Sequence, residues 1–314
     1  KKKRMFRPIC LLRMSKHIRN FRTPQESPLL VTPSWLNDNL KDVKPVDTSW
    51  YMPAEKRNTH SEWISCRIKG SSFFAQDQIV DKSIDLPHMM PPIDVFLDFV
   101  NREGISETDH IIVYDSEGLF SAARVWYTFR AFGASKVSIL HGGLRNWISS
   151  GFPTENGPPS QDDRKSKFAA EFDKSSISSA EQISKVGNTT QIVDARSSTR
   201  FHGSEADPRA HLGIEPGHIP NSLNVPHRTI CHYPDDDSGV VLQSVDNLEK
   251  TFKAANVDID KPIITSCGSG VTAALLLFAI EHIHAERGTK PPFLSLYDGS
   301  WSEWGQTKRK DLPK

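Results

Sequence analysis

The chain has 314 residues, a length that suits two domains of ordinary size better than one. Its 39 Lys and Arg balance 38 Asp and Glu, so no global charge marks nucleic acid or a membrane as a direct partner. No apolar run is long enough to cross a bilayer, and four scattered cysteines in so large a chain point to a reducing compartment rather than a disulfide framework.

From Lys1 to Gln25 there are nine Lys or Arg and no acid, with Phe6, Ile9, Leu11, Leu12, Met14, Ile18 and Phe21 interleaved. A basic, acid-free segment able to form an amphipathic helix is the pattern of a mitochondrial targeting peptide; a basic tail is the plainer alternative. Residues 1–26 are therefore set apart from the fold, with a mitochondrial location expected and a cytoplasmic one also open.

The next segment, 27–151, reads as alternating strands and helices. Val46-Asp47-Thr48 closes a β run, and Ile68–Phe74 holds a second. His110–Asp115 is a short β-branched run of the kind that makes a buried strand, followed by an apolar helix over Ala122–Phe132. Val137–Leu140 and the turn His141-Gly142-Gly143 lead to Trp147. Residues 152–178 then turn polar, with Pro153, Gly157, Pro158, Pro159 and a charged run at 161–167, which is the composition of a linker.

Residues 179–308 repeat the plan, and 309–314 form a tail. Ile192–Arg196 matches the first run and Gly217–Pro226 the second. Pro262–Cys267 matches the buried strand, Ala273–Ile283 the helix, and Phe293–Trp304 the last strand and turn. Gly142 to Trp147 and Gly299 to Trp304 are both five residues apart. Strands alternating with helices give parallel βαβ units, hence an α/β fold of two tandem domains, each a mostly parallel sheet flanked by helices. Such sheets carry their chemistry at the C-terminal ends of the strands.

Cys267 stands at one of these ends, in the loop Ser266–Ala273. Gly268 and Gly270 let amides turn inward, and the helix behind places its positive end at the sulfur, an arrangement that stabilises a thiolate. The alternative for a lone cysteine is an inert place in the core. The first copy has Asp115 or a close neighbour at this position and no cysteine, so only the second copy offers a sulfur nucleophile. A cysteine phosphatase would need an arginine six residues beyond the cysteine, where this chain has Ala273. No Gly-x-x-x-x-Gly-Lys-Ser/Thr segment follows a strand, which removes a phosphate-cradling nucleotide loop. His218, His227, Cys231 and His232 lack the paired spacing of structural zinc. Cys66 and Cys231 have no motif around them and read as structural.

The duplicated plan, Gly217-His218-Ile219-Pro220, the Cys267–Ala273 loop and the ending Tyr297–Trp304 together resemble the two-domain rhodanese-type sulfurtransferases over about Leu30 to Trp304. Within that family, Cys-Gly-Ser-Gly-Val-Thr is similar to the loop of the members that act on 3-mercaptopyruvate; thiosulfate-preferring members have basic residues where this chain has Gly268 and Ser269. The resemblance implies rhodanese-like domains, the first catalytically silent. It also implies a persulfide on Cys267 in place of any metal or organic cofactor. Arg200 and Arg209 become the pair that holds the donor's carboxylate and keto oxygen, with Gly268, Gly270, Val271 and Thr272 lining the loop. Because 3-mercaptopyruvate bears its charge away from its sulfur, these cations are expected to stand away from the loop. Ser269, His88 and Asp77 become a relay that crosses between the domains. The implied acceptor is thioredoxin, a small thiol, cyanide or another sulfur carrier, and the implied state is a monomer. Thiosulfate as donor, or service as a sulfur relay to a dedicated partner in tRNA thiolation or cofactor synthesis, is the alternative.

Overall fold

The computed structural model describes residues 27–159, 167–309 and 311–312; the segment read as a targeting peptide lies outside them. Two five-stranded sheets form the framework. In the first, the spatial order is Leu30–Val31, Lys136–Leu140, His110–Tyr114, Val43–Asp47, Ser72–Phe73; in the second it is Ile177–Ser178, Leu294–Tyr297, Ile263–Ser266, Gln191–Asp194, Leu223–Asn224. All pairings in both are parallel. Strands counted along the chain run 1-5-4-2-3 in each sheet, so the repeat read from the sequence is a repeat of topology.

The central strands are apolar on both faces because helices cover both. Ile111 and Val113 face one core, and Ile112 and Tyr114 the other. In the second sheet Ile263 faces one core and Ile264 the other. The helices that follow the central strands span Ala122–Ala131 and Val271–Glu286. These equivalent helices pack on each other between the domains, where Trp126 meets Phe278 edge to face with ring centroids 5.0 Å apart. Residues of both domains share one apolar cluster, so the two units are joined by a common core. That accounts for the Val271–Glu286 helix being apolar on nearly all sides.

The polar 152–178 segment is only partly a connector. Thr154–Glu155 pairs antiparallel with Arg67–Ile68, Phe168 is buried in the shared core, and Ile177–Ser178 is the edge strand beside Leu294–Tyr297. Apolar side chains at alternate or isolated positions were enough to dock it, a signal that its Pro, Gly and charged neighbours outweigh in composition.

Candidate active site

Cys267 follows the strand residue Ser266, which pairs with Asp194, as Tyr114 pairs with Asp47 in the first copy. Trp301 N donates to Cys267 O at 3.0 Å, and Leu144 N donates to Asp115 O at the same distance. Asp115 is therefore the structural equivalent of Cys267. The two loops then treat negative charge differently. The Asp115 carboxylate accepts the amides of Gly118, Phe120, Ser121 and Ala122 at 2.5–2.9 Å, so its own side chain fills the loop. Cys267 Sγ accepts one amide, that of Gly270, at 3.1 Å. Gly270 adopts φ +80°, the left-handed conformation that turns this amide back onto the sulfur. Val271 and Thr272 open the helix, so their amides have no intrahelical acceptor and the positive end of the helix dipole lies at this loop.

A serine tightens the loop from behind. Cys267 N donates to Ser300 Oγ at 3.2 Å, and Ser300 Oγ donates to Tyr297 O at 2.8 Å. Ser300 holds φ +49° where the first copy has Gly143 at +57°, so a strained backbone is tolerated in the copy that carries Cys267 and avoided in the copy that carries Asp115.

Arg200 lies on the short helix Ser198–Phe201, capped by the Ser197 hydroxyl, and Arg209 lies seven residues past that helix's capping turn, beside Asp207. Buried Asp207 gathers both. Arg200 Nη2 donates to its Oδ2 at 2.5 Å, while Arg209 donates to Oδ1 through Nε at 3.3 Å and through its backbone at 2.9 Å. Burial alone would raise the Asp207 carboxyl, but the Arg209 amide and the two guanidinium charges outweigh it and hold the group below the usual carboxylate range. The expectation that these cations stand away from the loop is not met. A Cβ built on Gly268 would lie 2.6 Å from Arg209 Nη2 and 3.3 Å from Arg200 Nη2, so both tips rest against the loop beside Cys267. The missing side chain of Gly268 is what admits them. Arg200 Nε is buried and has no hydrogen-bond partner among the described residues.

On the other side, the first domain reaches in. His88 Nδ1 is 2.9 Å from Ser269 Oγ, and His88 Nε2 is 3.1 Å from Asp77 Oδ1. A carboxylate can only accept, so Nε2 carries a proton, and in the neutral tautomer that this requires Nδ1 accepts from the serine hydroxyl. Trp50 steadies the array: its Nε1 donates to the same Asp77 oxygen at 2.9 Å, and its ring meets His88 edge to face at 4.6 Å.

Sequence reasoning missed the clamp that holds His88 in place. Arg124, buried in the first turn of the Ala122–Ala131 helix, donates to His88 O at 2.6 Å and lies 2.7 Å from Asp298 Oδ1, while Met90 N donates to Asp298 Oδ2 at 2.5 Å. The same guanidinium is 2.7 Å from a Cβ built on Gly270. One buried cation thus ties the first domain's helix to its His88 loop and to the reactive loop of the second domain. Trp50 and Ser300 were also passed over; the only trace of Ser300 was its place in the Tyr297–Trp304 motif.

The remaining candidates fall elsewhere. His218 stacks on Phe201 and His227 contacts Ala195 O, and among the described residues no three His, Cys, Asp or Glu groups converge as a metal site. Burial pushes the Cys231 thiol up to about 12, the condition of an unreactive core cysteine.

A family model described as "Rhodanese-like domain" matches residues 32–150 and again 169–307. The chain belongs to the rhodanese family. It is 36% identical over 295 residues to the 3-mercaptopyruvate sulfurtransferase of Rattus norvegicus, covering 90% of this chain and 93% of that one. The thiosulfate sulfurtransferase of Gallus gallus is 37% identical, with 88% and 92% covered. Among solved rhodanese structures, the 3-mercaptopyruvate sulfotransferase SseA of Escherichia coli superposes with TM-score 0.75 at 35% identity, covering 88% of this chain and 100% of that one. Tum1 of Saccharomyces cerevisiae gives 0.76 at 29% identity, with 91% and 98% covered. Identity alone does not separate the two donors; the loop residues must.

Proposed function

We propose that the chain is a sulfurtransferase that takes sulfur from 3-mercaptopyruvate onto Cys267 and passes it to a thiol. The observation that carries this reading is the convergence of Arg200 and Arg209 on Gly268, within the loop that presents Cys267 and opposite the Ser269–His88 pair. A small donor with a sulfur at one end and a carboxylate at the other fits between a thiolate and two guanidinium groups held by one carboxylate.

In the first half-reaction the Cys267 thiolate attacks the donor sulfur. The S–S bond forms as the donor C–S bond breaks, and the electron pair leaves as pyruvate enolate, whose oxygen faces the arginines. The proton on the donor thiol is the one that the enolate carbon needs, so no outside acid is required. Ser269 Oγ, hydrogen-bonded to His88, is placed to carry it across. Pyruvate departs and Cys267 keeps a persulfide anion that the Gly270, Val271 and Thr272 amides stabilise. In the second half-reaction an acceptor thiolate, from thioredoxin, a small thiol or another sulfur carrier, attacks the outer sulfur and regenerates the Cys267 thiolate. No cofactor enters either step, and the first domain supplies His88 and Asp77 while its own loop remains closed by Asp115. The basic 1–26 segment and the mitochondrial relative from Arabidopsis thaliana support a mitochondrial address.

Incubation with 3-mercaptopyruvate and no acceptor should add one sulfur to Cys267, seen by mass spectrometry, with release of one pyruvate. Cys267→Ser should do neither. Pyruvate release by that variant at the wild-type rate overturns the mechanism, whereas faster loading from thiosulfate overturns only the choice of donor.

A further inference from the structure

The duplication makes each domain a template for the other, and at one place the second domain holds a cation that the first lacks. In the second copy Arg196, two residues after Asp194, donates to that buried carboxylate through Nε at 2.9 Å and Nη2 at 2.7 Å. Its guanidinium lies 4.6 Å over the Trp301 ring, and Nη2 also donates to Gly217 O at 2.8 Å. In the first copy the equivalent acid is Asp47, equally buried at the end of its strand, but Ser49 stands in place of Arg196 and Leu144 in place of Trp301. The space is not refilled. A cavity of about 470 Å³ opens there, lined by Asp47, Ser49, Leu144, Trp63, Glu62 and Arg57 among others.

We propose that the first domain carries a binding site for a guanidinium group, with Asp47 as its anchor and Leu144 as its apolar wall. The Asp47 carboxylate accepts the Ser49 amide at 2.9 Å through Oδ1 and, among the described residues, has no cation beside it. Arg57 does not serve, because it is held by Glu62 at 2.7 and 2.9 Å and lies over the Tyr51 ring at 3.6 Å. A buried carboxylate without a counter-charge is costly, and the second copy displays the fork-to-carboxylate pairing that relieves the same cost. The planar guanidinium is favoured over an ammonium because it can bond both carboxylate oxygens while its faces stay against apolar walls. Such a group can arrive on a small molecule or on the arginine side chain of another protein.

The site should respond to pH. Burial, aided by Asp115, pushes the Asp47 carboxyl up to about 7 against the opposing hydrogen bonds of Ser49 and Tyr114. Tyr114 and Asp115 face Asp47 from the neighbouring strand and its loop, and Glu62, Cys66 and Arg57 face it across the cavity. A cation should bind the ionised form and drive out the proton.

Calorimetric titration of the full chain at about pH 8 tests this with three probes: butylguanidine, butylamine and a short peptide with a central arginine. Butylguanidine or the peptide should bind with a dissociation constant of about 1 mM or tighter, and butylamine more weakly. Tighter binding of the peptide assigns the source to a protein partner; tighter binding of butylguanidine assigns it to a small molecule. Asp47→Asn should weaken binding at least about tenfold, and moving from about pH 8 to about pH 6 should do the same. Ser49→Arg supplies the cation from within, as in the second copy, and should abolish binding while sulfur loading of Cys267 shows that the protein is folded. The inference is overturned if neither guanidinium probe binds, if butylamine binds equally well, or if both variants bind like the wild type.

Discussion

Gly268 decides how close the arginines come to the reactive sulfur. An alanine there places its Cβ 2.6 Å from Arg209 Nη2, which is the free end of a flexible side chain, so the tip can swing aside with little effect on folding. What moves is the cation assigned above to the proposed donor site. Gly268→Ala should raise the KM for 3-mercaptopyruvate about tenfold, a loss of about 1.4 kcal/mol, with a melting temperature close to that of the wild type. Steady-state kinetics beside thermal melting checks it; an unchanged KM would remove the arginines from the donor site. His88→Asn should behave in the opposite way, lowering kcat by about a hundredfold or more with little change in KM, because the Ser269 hydroxyl loses its proton partner while the arginines stay. Cys267 and the two arginines were singled out by motif, and Ser269, His88 and Asp77 by their positions within the resemblance; the structure places these last three in hydrogen-bond contact. Arg124 was not legible. It lies inside an apolar run, where nothing in the spacing tells a buried clamp from a solvated edge.

The strand–loop–helix element was legible as a repeat, with helix ends within two or three residues of those observed, because β-branched runs and apolar helices leave strong periodic signals. What the pattern could not convey is how the two elements meet. Helix contacts between domains arise from apolar residues all round the helix, and such a surface does not name its partner. Arg124 is the polar part of that meeting, with side chain and Asp298 both almost fully buried. Arg124→Met removes the cation but leaves the carboxylate of Asp298, which Met90 N alone then satisfies. An uncompensated buried charge costs about 3–5 kcal/mol, so the denaturant midpoint should fall accordingly. The double variant Arg124→Met with Asp298→Asn should recover part of the loss, because no buried charge is left unpaired. If the single variant is as stable as the wild type, the pair contributes neither stability nor a fixed approach of the His88 loop.

At the scale of the whole molecule, the first domain brings His88 against Ser269 and carries a buried acid whose equivalent in the second domain is paired with Arg196, and this asymmetry has a signature in stability against pH. The Asp47 carboxyl, pushed from 3.8 up to about 7 by burial, binds a proton in the folded chain that the unfolded chain has already lost. Between those values the folded state holds more protons, so this group removes stability as pH rises, up to an upper bound of about 4 kcal/mol. Buried histidines act in the opposite direction. His110, lowered to about 4 by burial and then by Lys136, and His141, His227 and His282, lowered chiefly by burial, bind fewer protons folded than unfolded. Their contribution is lost as pH falls below their ordinary value of 6.5. Asp207, depressed by its arginines, adds a further loss when pH falls through the acid range below 3.8. The wild-type profile is the sum of opposing slopes, but the difference between wild type and Asp47→Asn isolates one of them. At about pH 4 both chains carry a neutral group at this position and should be nearly equal in stability. As pH rises to about 7 the asparagine variant should gain steadily on the wild type, and above that the difference should level off. Urea unfolding at matched pH values measures it, and a difference that stays flat from about pH 4 to about pH 8 would mean that Asp47 is ionised without cost, leaving no unpaired anion in the first domain.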